Sequence, residues 1–232
     1  MLEENLLDVK NLLKFSSSSQ AANGKQPGQK TLVNLQGIEP FYMKRDRFDK
    51  TLIFESRFES GNLAAALKVR DDDYYLALQN DVNTSGNTQW FFFRVSNTKS
   101  YHTVRFSMLN LGKPDSLYNE GMKVLVYSEK HAQEKDIGWH RGGTKIAYYP
   151  NGIRKDGSKS FRTLYTMTFT YEFEYEDDNV YFAYCYPYTY TELIEELNAI
   201  MADPIKQHYV QRKTLTETLA GNKCEVLTIT SK

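Results

Sequence analysis

The chain has 232 residues, enough for one large domain or for one domain and part of a second. Its 29 Lys and Arg balance its 29 Asp and Glu, and this zero net charge argues against a dedicated nucleic-acid binder, which would carry a basic excess. No long apolar run is present, so no membrane-spanning helix is expected. The two cysteines, Cys185 and Cys224, form no C-x-x-C pair and suit a reducing, cytoplasmic compartment.

Residues 1–40 form the first section of the chain. Apolar residues recur at helical spacing from Leu2 to Leu13, which predicts a short amphipathic helix that needs a partner surface. The polar stretch 16–30 predicts a flexible linker. A disordered lead-in with only a transient helix is the alternative that the sequence leaves open.

Residues 41–188 read as a β-rich domain. Aromatic residues make up 14% of the chain and concentrate between Phe41 and Tyr190, and such residues favour half-buried strands. Short apolar runs separated by turn residues predict the strands TLIFESRF, NLAAALKV, YYLALQN, QWFFFRV, HTVRFSML, KVLVYS, LYTMTFTYEFEY and NVYFAYCY. Residues 176–179 predict a hairpin between the last two. Many short strands without intervening helices predict an antiparallel β-sandwich or barrel, and we expect the sandwich.

The run QWFFFRV is apolar on both of its faces. Trp90, Phe92 and Arg94 point to one side of the strand, while the alternate residues Phe91 and Phe93 point to the other. A strand in a single sandwich needs only one buried face, so the second face is expected to meet another domain. NVYFAYCY has the same two-sided character.

Residues 189–232 change to an α/β pattern. Thr189 and Glu192 have the Thr-x-x-Glu spacing of a capping box, and a helical apolar stripe follows as far as Met201. Two strands separated by a Gly-Asn turn come next. A capped helix followed by an apolar strand is how an α/β domain begins, and we expect this section to be its incomplete start.

Several stretches of the chain together carry a resemblance to a known family. They are FESGNL (58–63), LQNDVNTSGNTQWFFFRVSN (78–97), KPDSLYNEGMKVLVYS (113–128), GWHRGG (138–143), YTMTF (165–169), YCYPYTYTEL (184–193) and TLAGNKCEVLTIT (218–230). In this order they resemble the cytosolic carboxypeptidases, the tubulin-deglutamylating branch of the zinc carboxypeptidases. The resemblance covers roughly residues 50–230.

The resemblance implies a two-part enzyme in which a β-sandwich precedes an α/β peptidase domain. In this family zinc-dependent hydrolysis removes glutamates from protein tails, notably those of tubulin, in the cytoplasm and at microtubules or cilia. The family's zinc ligands come later, as His-Pro-Gly-Glu and a distant third histidine, and this chain carries no such motif. We therefore expect no zinc in this chain, zinc in the longer parent protein, and the parent's own catalytic domain as the first partner. Tubulin or polyglutamylated acidic tails are a further expected partner, and neither nucleic acid nor membrane is expected to bind.

His131 and Glu134 have the His-x-x-Glu spacing with which zinc carboxypeptidases present two metal ligands. A catalytic zinc needs three protein ligands and an open water position. Because the pair lies in the sandwich region, in an expected loop before GWHRGG, we interpret the spacing as a chance match. No catalytic residue is assigned.

Two sets of candidate site residues remain. The candidates for the domain interface or substrate rim are Trp90, Phe92, Arg94, Trp139, Arg141, Tyr186, Tyr188 and Tyr190. An exposed tight turn anchored by Trp139 is the alternative for the GWHRGG segment. The candidates for an acidic partner are Arg154, Lys155, Lys159 and Arg162, for which a solvated hairpin tip is the alternative. A free-standing cytoskeletal or ciliary binding protein is the alternative function for the whole chain.

Overall fold

The computed structural model describes residues 46–84, 87–154 and 163–230, with only the backbone described at residues 153 and 154. The predicted helix and linker in residues 1–40 lie outside this part of the chain, as do Lys155, Lys159, Arg162 and the side chain of Arg154. The chain divides into two compact units, the first ending at Tyr186 and the second beginning at Pro187. No helix among the described residues is long and apolar enough to cross a membrane.

Strands dominate the first unit. They are β1 (Ile53–Glu55), β2 (Leu63–Arg70), β3 (Asp73–Leu78), β4 (Phe92–Ser96), β5 (His102–Leu111), β6 (Val124–Ser128), β7 (His140–Gly142), β8 (Thr144–Arg154), β9 (Thr163–Phe173) and β10 (Val180–Ala183). A 3₁₀ turn spans Leu117–Glu120, and the short helix α1 spans Glu129–Lys135. Every strand predicted for this region is present.

These strands form two five-stranded sheets. Sheet A has the order β1-β4-β10-β6-β7, and sheet B has the order β2-β3-β5-β9-β8. All neighbouring strands are antiparallel except β3 and β5, which run parallel. The predicted mainly β class and antiparallel sandwich are therefore confirmed.

The core lies between the inner faces of the two sheets. Phe93 and Phe182 of sheet A stack with ring centroids 5.5 Å apart, and Phe106 of sheet B lies 5.4 Å from Phe182. The alternation predicted for β9 is confirmed, since Met167 and Phe169 point inward and are fully buried. Truncating such a buried ring to alanine costs about 3 to 5 kcal/mol, so these rings dominate the stability of the sandwich.

The hairpin predicted at residues 176–179 is wrong. Strand β9 pairs with β5 and β8 in sheet B, whereas β10 pairs with β4 and β6 in sheet A, so this connection crosses from one sheet to the other. Asp178 explains the crossing, because its buried carboxylate accepts hydrogen bonds from Ser128 Oγ and from the Lys130 backbone N–H. These bonds tie the connection to the end of β6.

The loop predicted around His131 and Glu134 is also wrong, because both residues lie on helix α1. Ser128 is the N-cap of this helix, and its side chain accepts a hydrogen bond from the His131 backbone N–H at 2.9 Å. Asp136 ends the helix in the left-handed conformation, with φ of 56°. The Ser128 cap thus stabilises the start of this short helix, by about 1 kcal/mol.

GWHRGG does not form a glycine-flanked loop or an isolated turn. Residues His140–Gly142 form the edge strand β7, which pairs antiparallel with β6. A methyl group on Gly142 would lie 2.8 Å from Val126 Cγ2, so glycine allows this close approach to β6. The long strand β8 that follows was not anticipated from the sequence.

The second unit contains helix α2 (Tyr190–Ala202), a 3₁₀ turn (Lys206–His208) and the strands β11 (Val210–Glu217) and β12 (Lys223–Ile229). The capping box is confirmed, since Thr189 and Glu192 bond each other's backbone N–H. Both predicted strands are present, and β11 pairs antiparallel with β12. Leu197 and Val210 are buried within the unit, while Leu215 and Ile229 are 71% and 75% exposed.

Candidate functional site

A second apolar cluster lies on the outer face of sheet A, away from the core of the sandwich. Phe92, Leu125 and Ala183 form its buried centre, at 8%, 0% and 0% exposure. Half-buried aromatic side chains surround this centre. We call the six rings Phe58, Trp90, Phe92, Tyr127, Trp139 and Tyr181 the aromatic face.

The rings of the aromatic face form a continuous set of contacts. Phe92 lies at the middle, with ring centroids 4.9 Å from Phe58, 5.9 Å from Trp139 and 6.2 Å from Tyr181. Tyr127 lies 5.5 Å from Trp139 and closes the set on the β6 side. Aromatic side chains bury large areas and favour such tilted contacts, so the face is a preformed apolar surface.

The strand register explains why these rings meet. Phe92 of β4 pairs with Ala183 of β10, which pairs with Leu125 of β6, so the three side chains share one row across the sheet. Trp90 at the entry to β4 is fixed by its indole N–H, which donates to Ser60 O at 2.7 Å. The Asn62 side chain bonds the backbone on both sides of Phe91, at Trp90 O and at Phe92 N.

Charged side chains border the aromatic face. Arg94 lies in the same row as Glu55 and Tyr181. The pKa of Tyr181 is raised above its ordinary value, mainly because the side chain is buried. Arg94 opposes this rise, whereas Glu129 adds to it and accepts a hydrogen bond from the tyrosine hydroxyl at 3.1 Å. Arg141 faces outward opposite Leu125, and its Nη1 donates to Lys123 O at 2.6 Å.

The structure therefore brings five of the predicted interface residues onto one face of sheet A: Trp90, Phe92, Arg94, Trp139 and Arg141. Tyr186 is 58% exposed at the end of the first unit. Tyr188 and Tyr190 belong to the second unit, where they contact its own elements. The Tyr188 hydroxyl donates to Glu196, and the Tyr190 hydroxyl accepts from the Lys223 backbone N–H at 3.2 Å.

Three members of the aromatic face were missed in the sequence. Tyr181 alternates with the buried Val180 and Phe182 in the two-sided strand NVYFAYCY, so its outward position followed from the period-2 pattern. Tyr127 likewise alternates with buried neighbours in β6. Phe58 lies between β1 and β2, outside any strand, and no sequence signal places it on this face.

His131 and Glu134, the pair with the spacing of zinc ligands, lie on helix α1. The His131 imidazole lies beside Glu174, with Nε2 3.7 Å from the carboxylate oxygen, and beside the His140 ring at 5.5 Å. Glu134 is exposed on the same helix. Within residues 46–84, 87–154 and 163–230, no three His, Cys, Asp or Glu side chains form a group that could hold a metal ion.

Comparisons with known proteins agree with this architecture. A family model described as the cytosolic carboxypeptidase N-terminal domain matches residues 54–185. Cytosolic carboxypeptidase 3 of Mus musculus is 46% identical over 186 residues, which are 80% of this chain and 18% of the relative. Cytosolic carboxypeptidase 2 of Homo sapiens is 45% identical over 215 residues, which are 92% of this chain and 22% of the relative.

A solved metallo-carboxypeptidase from Burkholderia cenocepacia shares the fold, with a TM-score of 0.52 at 20% identity. The match covers 78% of this chain and 40% of that structure. The chain thus spans less than a quarter of the length of the two named relatives. Its sandwich matches the N-terminal domain of that family, and the chain belongs to the cytosolic carboxypeptidase family.

Proposed function

We propose that the chain is the N-terminal β-sandwich module of a cytosolic zinc metallocarboxypeptidase that removes glutamates from tubulin or other acidic protein tails. In this proposal the module supports folding, docks on the catalytic domain and presents the substrate. The zinc ligands and the catalytic glutamate belong to the catalytic domain and not to this chain. The printed names of the relatives support a cytosolic carboxypeptidase, and the acidic substrate and a location at microtubules or cilia are part of the proposal.

The aromatic face is the observation that carries the docking role. The core of the sandwich is already complete between the two sheets, with 0% exposure at Phe93 and Phe182. The outer rings of the face therefore add little to that core, yet they remain half-buried and contiguous. Surfaces of this kind, bordered by charged residues such as Arg94 and Arg141, mark protein interfaces.

The second unit supports the same proposal. We take residues 189–232 as the start of the peptidase domain. Its hairpin leaves Leu215, Val226 and Ile229 exposed at 71%, 39% and 75%. Apolar strand residues need a covering layer, and a larger α/β domain would supply one.

Reading the transcript beyond the codon for Lys232 tests the enzyme assignment. A downstream His-x-x-Glu and a third distant histidine support it. A stop codon without them contradicts it and favours the free-standing binding protein.

Binding between residues 1–232 and the catalytic segment encoded downstream tests the docking role. Trp139→Ser removes a half-buried ring from the aromatic face and should weaken binding at least tenfold, because central aromatic side chains carry much of the energy of an interface. Tyr101→Ser is the matched control, since Tyr101 is an aromatic residue 80% exposed outside the aromatic face. Equal binding by both variants would contradict docking through this face.

A further inference from the structure

Residues 1–45 join the described part of the first unit at the edge of the sheet that carries the aromatic face. They precede Asp46, which leads into β1. Strand β1 is an edge strand of sheet A and pairs directly with β4, the strand of Phe92. A segment of these residues is therefore tethered close to the aromatic face.

One stretch of residues 1–45 has the pattern of a helix that needs an apolar surface. Four apolar residues recur in it at helical spacing: Leu2, Leu6, Val9 and Leu13. In a helix they share one side, because residues three and four positions apart lie above one another. A helix of about 12 residues is marginal in water by itself and is stabilised mainly by packing of its apolar side.

The spacing of the rings on the aromatic face matches the spacing of these four residues. Four of the rings follow one another in contact: Trp90, Phe92, Trp139 and Tyr127. Their successive centroids are 6.3, 5.9 and 5.5 Å apart. One turn of an α-helix rises about 5.4 Å, so each apolar residue of the stripe can meet a different ring.

We propose that residues 2–13 fold as a helix on the aromatic face of the same chain. A flexible chain as long as residues 14–45 reaches roughly 30 Å, whereas neighbouring strands of the sheet are only about 4.8 Å apart. The tether also raises the effective concentration of the segment to about the millimolar range, so a weak contact is sufficient.

The contact is apolar and not electrostatic. Charges of both signs border the aromatic face, including Arg94, Arg141 and Glu129. Residues 2–14 likewise contain both acidic and basic side chains. Neither side has a single sign of charge to attract the other, so the contact should change little as salt rises.

This self-contact and the proposed docking of the catalytic domain use the same face and therefore exclude each other. Ordering so short a helix costs conformational entropy, which keeps the self-contact reversible and leaves the face open in a share of the molecules. The self-contact does not rest on the proposed function, because it is measured in residues 1–232 without a catalytic domain.

The tryptophans give a direct measurement of this contact. Trp90 and Trp139 are the two tryptophans of the chain, and both belong to the aromatic face. The triple variant Leu6→Ser, Val9→Ser and Leu13→Ser should shift the tryptophan emission of residues 1–232 to longer wavelength and move the NMR signal of the Trp139 indole N–H. It should also raise the affinity for a hydrophobic dye at least twofold, as expected if at least half of the molecules are covered.

The matched control is Glu4→Ser, Asp8→Ser and Asn11→Ser, which places three serines on the opposite side of the same predicted helix. This control should keep the wild-type emission, indole signal and dye affinity. A synthetic peptide of residues 1–15, added to the Leu6, Val9 and Leu13 variant at about millimolar concentration, should restore the wild-type indole signal, which a misfolded variant would not allow.

Three results would overturn the proposal. The first is an indole signal and dye affinity that are the same in the wild type and in both triple variants. The second is failure of the peptide to restore the signal. The third is a wild-type signal that depends on protein concentration, because a second copy of the chain would then occupy the face.

Discussion

Asp178 and Ser128 form a buried pair that fixes two features of the fold. Ser128 Oγ donates to the Asp178 carboxylate at 2.5 Å, and both side chains are 3% exposed. The same serine caps helix α1, and the same aspartate accepts from the first turn of that helix at Lys130. The pair therefore sets the start of α1 and holds the chain where it crosses from sheet B to sheet A.

Asp178→Ala should lower the free energy of unfolding by about 2 to 3 kcal/mol, because it leaves buried donors without their charged acceptor. Urea unfolding provides the measurement. Asp177→Asn is the matched control, since Asp177 is exposed and its left-handed backbone, with φ of 49°, is tolerated by asparagine. A loss below about 0.5 kcal/mol for Asp178→Ala would show that the crossing is held by other contacts.

The aromatic face should make the isolated chain bind hydrophobic dyes or self-associate, because its rings form one contiguous apolar surface. Trp139→Ser should reduce dye fluorescence, whereas Tyr101→Ser should leave it unchanged. Dye titration and analytical ultracentrifugation provide the measurements. A monodisperse wild-type chain without dye binding would count against an interface on sheet A.

Glu55 should make the free energy of unfolding decrease as the pH becomes acidic. Hydrogen bonds from the Arg57 side chain hold the pKa of Glu55 at about 2, below its ordinary 4.5. Because the pKa of Glu55 is lower in the folded state, the ionised carboxylate stabilises the fold at any pH above 4.5, the pKa of the unfolded chain. This contribution is lost as the pH falls from 4.5 toward 2. The effect is small because the Arg57 side chain is 66% exposed, so solvent screens the pair.

In Glu55→Gln the free energy of unfolding should therefore change less with pH between 4.5 and 2 than in the wild type. Urea unfolding at several pH values measures the difference. Glu120→Gln, an exposed glutamate in the 3₁₀ turn, is the control. If both variants follow the wild-type slope, the pair with Arg57 does not contribute.

Residues 1–232 should hold no stoichiometric zinc after purification, and chelation should leave the melting temperature unchanged. The reason is that His131 lies beside Glu174 and His140 without forming a three-ligand group with them. Metal analysis with and without His131→Ala provides the test. One tightly bound zinc that disappears in the variant would reverse this interpretation.

The four basic residues Arg154, Lys155, Lys159 and Arg162 should attract polyglutamylated peptides through long-range Coulomb forces. Changing all four to serine should weaken binding at low salt, and the difference should vanish near 1 M salt, where the Debye length is about 3 Å. Salt-dependent binding of the peptide measures both effects. Unchanged low-salt binding in the quadruple variant would favour a solvated hairpin tip.

Local patterns in the sequence determined the strand faces, the helix cap and the family. Side chains alternate across a strand, so the sequences of β4 and β9 show which residues share a face even when the neighbouring strands are unknown. The Thr189 and Glu192 cap is equally local, because both groups lie within one helical turn. Because β4 is apolar on both faces, the sequence likewise predicted that its outer face contacts another domain.

Tertiary structure alone decided which strands pair and which distant residues meet. The crossing at residues 176–179 depends on Asp178 reaching Ser128, 50 residues away, and the ion pair between Asp73 and Arg105 joins residues that are 32 positions apart. A period-2 pattern gives the face of a residue but not its neighbouring strand, because pairing is set by the packing of the whole sheet. For this reason the sequence predicted the sandwich and part of its aromatic face, whereas the parallel pairing of β3 with β5 emerged only when the whole of sheet B was assembled.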